Sequence, residues 1–277
     1  MFSKIGIMQG RLLPKIDKKY QCFPALNWQK EFFLAKKLKI FKIELIFDNY
    51  HPHLNPLMSR EGIEELKKIQ KSTKVKVVSV CADYFMENPI FTSNLYQSNL
   101  NIKTLEKLIV NSKLINVKNI ILPCVDKSSL NSNTRLNLFI KKIKQIEYLL
   151  DKTKINLSLE TDLPPNKFLN LINSFRSKFI TINYDTGNSA SLGFNPEKEL
   201  NIYGSRISEV HIKDRLFKGG PVFFGKGNTE FKKIFRLLKK IKYKGNFILQ
   251  MYRDKKGIDV FKKQYNLLKL IINEKKN

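Results

Sequence analysis

The chain has 277 residues, 42% of them hydrophobic, enough to build a sizeable core in one large domain or two small ones. Its formal net charge is +27, but the lysines are spread through nearly every predicted helix instead of forming a basic arm. Nucleic acid is therefore not the expected partner, although a phosphorylated small substrate would feel the same positive field. Cys22, Cys81 and Cys124 are odd in number and form no Cys-x-x-Cys, so neither a disulfide framework nor a zinc clip is indicated. Reduced thiols and a cytoplasmic location are the expectation. No apolar run is long enough for a signal peptide or a membrane span.

Taken in order, short apolar runs recur at Ile5–Met8, Ile43–Phe47, Val77–Cys81, Asn119–Leu122, Asn156–Glu160, Ile180–Tyr184, Ile207–Ile212 and Phe247–Met251. Helical periodicity fills the intervals. Asn27 is placed to cap a helix through Leu38, with Trp28, Phe32 and Ala35 on one face. Ile63, Leu66 and Ile69 mark the next, and Leu105, Leu108 and Ile109 a third. A fourth runs from Leu136 to Leu150. A fifth starts at Pro165 and reaches Ile172, and a short sixth begins near Pro196. Phe231 to Ile241 and Val260 to Ile272 complete the set. Eight strand–helix alternations imply a parallel sheet, and their number and spacing predict a (β/α)₈ TIM barrel as one domain over residues 1–277. A doubly wound sheet would want a Gly-rich phosphate loop after the first strand, which Gly6 to Arg11 does not supply.

A barrel puts its chemistry at the carboxyl ends of the strands. Glu160, Asp185, His211 and Gln250 end strands five to eight, so four successive strands would each aim one polar side chain at a common point. Two carboxylates, an imidazole and an amide oxygen suit a divalent cation, with Mn²⁺ first and Mg²⁺, Co²⁺ or Zn²⁺ as alternatives. Such an ion stabilises the enediolate left when a C–H beside a carbonyl loses its proton, and Glu160 is the natural base. Lys213, two residues beyond His211, leans to the same side and can polarise the substrate oxygen. Gln9 and Arg11 follow strand one, and Asp214 and Arg215 open the loop after strand seven, where they are placed to bind sugar hydroxyls or phosphate.

Other features divide between functional and plain readings. His51 and His53 flank Pro52 in a loop, where a solvated or substrate-contacting role is favoured over a metal site. Glu44 lies inside strand two, and a lysine or arginine in the barrel floor is the expected partner of its buried charge. The Gly-rich loop from Lys218 to Thr229, with Lys226 in it, suits either an anion at a helix start or a flexible lid.

The chain resembles the sugar phosphate isomerase/epimerase family of the xylose isomerase-like barrel type, almost from end to end. The carriers are Gly6-Ile7-Met8-Gln9-Gly10-Arg11-Leu12, Leu159-Glu160-Thr161-Asp162, Tyr184-Asp185-Thr186-Gly187-Asn188, Glu209 to Arg215, and Gly225-Lys226-Gly227 before Phe231. The resemblance implies that Glu160, Asp185 and His211 match three of four metal ligands. The fourth is typically a glutamate that doubles as a second acid/base, and here it is Gln250, which cannot exchange a proton near neutral pH. Asn188 stands where some ketose epimerases of this type carry a histidine. The expected function is thus metal-dependent isomerisation, or else epimerisation, of a sugar or sugar phosphate, with Gln250 favouring one base over two. A dehydratase on a cyclic polyol, a non-catalytic sugar-binding relative and an endonuclease at abasic DNA are the rivals. The last would want more than three histidines. A homo-oligomer is left open.

Overall fold

The computed structural model describes residues 2–16 and 19–273. Eight parallel strands, β1 (Ile5–Met8), β2 (Lys42–Ile46), β3 (Lys76–Cys81), β4 (Asn119–Cys124), β5 (Asn156–Thr161), β6 (Ile180–Asp185), β7 (Ile207–Ile212) and β8 (Asn246–Leu249), close into a barrel in chain order. Closure is made by β8 pairing with β1, with Ile5 opposite Phe247 and Ile7 opposite Leu249. The strands are Ile-, Leu- and Val-rich because both their faces are covered, by helices outside and by packed side chains within.

The helices bind that surface through one stripe each. Arg60–Thr73 buries Ile63, Leu66 and Ile69, and its amino end is capped by Ser59, whose hydroxyl accepts the Gly62 N–H at 3.0 Å. Phe231–Lys240 buries Phe231, Ile234, Phe235, Leu237 and Leu238 against the sheet and leaves its lysines outside. Trp28–Lys37 buries Glu31 as well as its apolar face. The Glu31 carboxylate accepts the Gly10 N–H at 2.7 Å and the Leu12 N–H at 3.1 Å, fixing the turn after β1.

Three elements differ from the sequence reading. The helix expected from Leu136 to Leu150 is two, Asn133–Lys144 and Glu147–Thr153, with the break at Gln145 and Ile146. Ile143, Ile146 and Leu150 keep the spacing of one helical stripe across the break, and all three are fully buried. A helix at Thr186–Leu192 precedes Pro196–Tyr203 where only the second was expected. Its residues, Thr-Gly-Asn-Ser-Ala-Ser-Leu, are weak helix formers without apolar period, and it forms because Asp185 caps it. Strand β8 stops at Leu249, and Gln250 still donates its N–H to Ile212 at 3.0 Å, so it remains next to β7.

Candidate metal centre

Glu160, Asp185 and His211 each offer a ligand atom, and these atoms lie within 4.8 Å of one another. All three are buried. Strand register explains the meeting: Asp185 lies directly opposite His211 across β6 and β7, and Glu160 comes from the neighbouring β5. Each carboxylate is held by neighbouring N–H groups. Asp185 Oδ1 accepts the N–H groups of Gly187 at 2.9 Å and Asn188 at 2.8 Å, so the helix it caps fixes its rotamer. Glu160 Oε2 accepts from Asn183 Nδ2 at 2.7 Å, and Oε1 from Asn188 Nδ2 at 2.6 Å.

His211 is fully buried. Its Nε2 lies 3.0 Å from Glu44 Oε1, and its Nδ1 is 3.6 Å from Glu160 Oε2. Neither ring nitrogen makes a well-directed hydrogen bond. The expected lysine or arginine partner of Glu44 is therefore replaced by the site histidine itself. The barrel interior is narrow there, and the strand that carries Glu209 and His211 delivers the imidazole one residue pair above the floor. Glu209, also fully buried, accepts from Asn119 Nδ2 at 2.6 Å.

Crowding of carboxylates sets the electrostatics. Burial, then the Asp185 charge, raises the Glu160 pKa to about 7, against the pull of His211 and Lys213. Burial alone would lower the His211 pKa, but Glu44, Glu160 and Asp185 raise it to about 9. Burial and the neighbouring Glu44 push Glu209 to about 8. Three buried carboxylates around one imidazole make a strong field for a cation. Gln250, which follows β8 and lines the cavity beside Glu160, has a buried Oε1 with no hydrogen-bond partner. Two carboxylates, an imidazole with undirected nitrogens and an unpartnered amide oxygen fit a divalent metal ion.

A cavity of about 420 Å³ opens over this centre, lined by Glu160, Asn188, Lys213, Arg215 and Gln250 together with Cys81, Asp83, Asp126, Asp162 and others. Lys213 Nζ is 3.4 Å from Asp185 Oδ2 and donates to Asn188 Oδ1 at 3.4 Å. Burial disfavours its charge, but Asp185, Tyr20 and Glu160 overcome this and raise its pKa, so it stays an ammonium. Arg215 Nη1 donates to Asn188 Oδ1 at 2.7 Å. Asn188 is thus a relay between two cations and the Glu160 carboxylate.

The remaining expected residues fall elsewhere. Gln9 is fully buried and its Oε1 accepts the Ile46 N–H at 3.1 Å. Arg11 is 1% exposed, with Nη2 on Gln21 Oε1 at 2.8 Å. Neither contributes to the cavity wall among the described residues. Lys226 is exposed on the loop beyond β7, and His51 and His53 are exposed in theirs. Asp214 is buried, and its carboxylate accepts the N–H groups of Gly225 at 2.8 Å, Gly227 at 2.9 Å and Thr229 at 3.2 Å. Those are the donors an anion would have used, so the Gly-rich loop is organised by an internal carboxylate. Asp214→Ala is expected to cost about 2–4 kcal/mol in urea unfolding, since charge-assisted bonds are lost and N–H groups left unpaired. Mn²⁺ affinity measured by calorimetry should stay unchanged. A rise in KM without any stability loss would instead give Asp214 a substrate contact.

Asn183 and Gln21 matter to the site but are not expected from the sequence, and Asp83 is expected only as a strand-end residue without an assigned role. Asn183 is recoverable in principle, because it precedes Asp185 by two residues and so shares its face of the strand. Asp83 follows β3, at a barrel mouth where strand-end polar residues are expected to gather, although the sequence assigns it no specific role. Gln21 sits in an irregular loop and carries no pattern at all.

A family model described as xylose isomerase-like TIM barrel matches residues 32–271. The Haemophilus influenzae protein SgbU is 26% identical over 271 residues, covering 91% of this chain and 90% of its own. The L-ribulose-5-phosphate 3-epimerase UlaE of Salmonella heidelberg is 25% identical over 238 residues, or 82% and 83% of the two chains. A solved D-tagatose 3-epimerase-like protein superposes with a TM-score of 0.77 at 18% identity, covering 98% of this chain and 99% of that one. The closed eight-strand barrel, the buried triad at its carboxyl end and the matched span together make the chain a member of the xylose isomerase-like TIM barrel family.

Proposed function

We propose that the chain is a metal-dependent isomerase of a sugar or sugar phosphate, with Glu160 as the base that moves a proton on the carbon beside a carbonyl. The observation that carries this reading is the position of Glu160. It lines the open cavity and also has an oxygen within ligand distance of Asp185 and His211. The donor set, rich in oxygen with one imidazole, favours Mn²⁺ among divalent ions. A bound ion supplies the positive charge that stabilises negative charge developing on substrate oxygens.

The protein's own groups do the rest. Asn183 and Asn188 hold both Glu160 oxygens, so the carboxylate presents itself in one orientation to the cavity. Burial keeps its basicity above that of a solvated glutamate. Lys213 and Arg215 line the same space and offer N–H donors to substrate hydroxyls or to a developing oxyanion. Gln250 occupies the place of a second carboxylate and cannot carry a proton, so one base working on one face is the geometry's simplest reading.

Epimerisation is the second reading, favoured by the activity of UlaE. Asp83, which lines the cavity on the side of Gln21 and Gln250, is then the carboxylate available for the opposite face. One experiment separates the two. Incubation with Mn²⁺ and a panel of ketoses and ketose phosphates in D₂O should incorporate deuterium at the carbon next to the carbonyl. Exchange at the hydroxymethyl carbon with aldose formation marks an isomerase, and exchange at the third carbon with inversion marks an epimerase. No incorporation across the panel defeats both.

A further inference from the structure

Resting on the metal site proposed above, one more residue role can be drawn from the loop between β1 and the helix at Trp28–Lys37. A carboxamide has an oxygen end that can ligate and a nitrogen end that cannot, and its shape does not distinguish them. Gln250 therefore serves a cation only if something fixes which end faces the cavity. A glutamate at this position would need no such device, because both its oxygens accept.

Gln21 provides it. Its Oε1 accepts from Arg11 Nη2 at 2.8 Å, and its Nε2 donates to Asp83 Oδ2. Arg11 is a donor only and is 1% exposed, so it cannot turn away to solvent. Asp83 accepts on both oxygens, from Gln21 Nε2 on Oδ2 and from the Cys81 thiol on Oδ1 at 3.2 Å. Gln21 is thus polarised by a fixed donor on one end and a fixed acceptor on the other. Gln250 meets the Oε1 end of Gln21, so it must present its nitrogen there, and Nε2 donates at 2.8 Å. The Gln250 oxygen is left over: buried, unpartnered and in a side chain that lines the cavity with Glu160.

We propose that Gln21 is a positioning residue, wedged between Arg11 and Asp83, that fixes the flip of Gln250 so that its oxygen faces the ion held by Glu160, Asp185 and His211. Arg11 thereby acts on the centre through two successive hydrogen bonds and without touching substrate.

The test is Mn²⁺ titration by calorimetry of the full chain, the Gln21→Leu variant, the Gln250→Glu variant and the double variant. Gln21→Leu should weaken Mn²⁺ binding by about tenfold or more where residue 250 is glutamine, the usual loss when an outer contact to a ligand goes. In the Gln250→Glu background the same change should alter affinity by less than about twofold, since no flip remains to be fixed. An equal loss in both backgrounds, or none in either, overturns the orienting role while leaving the metal site intact. Should Gln21→Leu fail to fold, Asp83→Asn goes through the same cycle, because an amide in place of that carboxylate no longer dictates which end of Gln21 it meets. A wild-type chain that takes up no Mn²⁺ defeats the inference. Uptake by Gln250→Glu alone then locates the fault at Gln250, and uptake by neither locates it in the Glu160, Asp185 and His211 reading.

Discussion

Glu160→Gln is expected to lower kcat by about 10³-fold at saturating Mn²⁺, the range lost when a positioned general base is removed. The substitution is nearly isosteric, and the Asn183 and Asn188 amides still have an oxygen to meet on one side. The fold should survive, because a neutral amide also relieves the repulsion between the Glu160 and Asp185 carboxylates. Metal affinity should weaken without vanishing, since an amide oxygen ligates more feebly than a carboxylate. Asp185→Asn provides the contrast. It removes one charge from the ligand set but leaves the base in place, so excess Mn²⁺ should restore much of its activity and none of that lost in Glu160→Gln. The wild-type kcat/KM profile should fall on its acid limb at or below about pH 7, where Glu160 takes up its proton, and a bound cation moves that limb downward. Recovery of Glu160→Gln activity by added metal would assign Glu160 to ligation and move the base elsewhere.

The barrel was legible because eight apolar runs at regular spacing leave little choice of topology, and strand ends are where a parallel barrel exposes polar side chains. The same rule points to Glu160, Asp185 and His211, whose ligand atoms lie close together, and to Gln250, which lines the neighbouring cavity. It erred with Glu44. A buried glutamate in a strand asks for a counter-charge, and the sequence offered many lysines but no sign that His211 would come from across the barrel. The rule also gave no account of Asp214. An aspartate next to a lysine and an arginine at a strand end reads as a substrate contact, whereas here it gathers three N–H groups of its own loop. Distinguishing these needs the path of the loop, which Gly225 at φ +85° helps to set and no periodicity encodes. The role of Gln21 was invisible for the same reason. Its meaning lies in which end of an amide meets a donor, and that is a property of residues brought together from the ends of β1, β3 and β8.

The pH dependence of metal binding follows from the same buried charges. Without metal, the His211 pKa lies at about 9 instead of its ordinary 6.5, so the folded chain keeps an imidazolium that the unfolded chain has lost. That contribution to stability is complete below about pH 6.5 and disappears as pH rises through 9. Glu209, with a folded pKa of about 8 against 4.5, acts in the same direction, holding a proton in the fold that the unfolded state releases. The metal-free protein should therefore become less stable as pH rises from about 6.5 to 9. At the proposed site His211 would have to ligate as the neutral imidazole, so a bound Mn²⁺ would replace its proton as the counter-charge to Glu44, Glu160 and Asp185. Mn²⁺ affinity should then tighten by about tenfold per pH unit in this range, and the thermal shift from saturating Mn²⁺ should grow with pH. Calorimetry in buffers of different ionisation heat should count about one proton released near pH 8. More should be released below pH 7, where Glu160 also gives one up. His211→Leu removes the cation from beside Glu44 and Glu160, and it should cost about 3–5 kcal/mol in unfolding at neutral pH, and less as pH rises through 9, where the wild-type imidazolium is itself lost. Metal affinity that does not change with pH would mean that His211 carries no proton to displace, and the account of the buried charges built on Glu44 would fall with it.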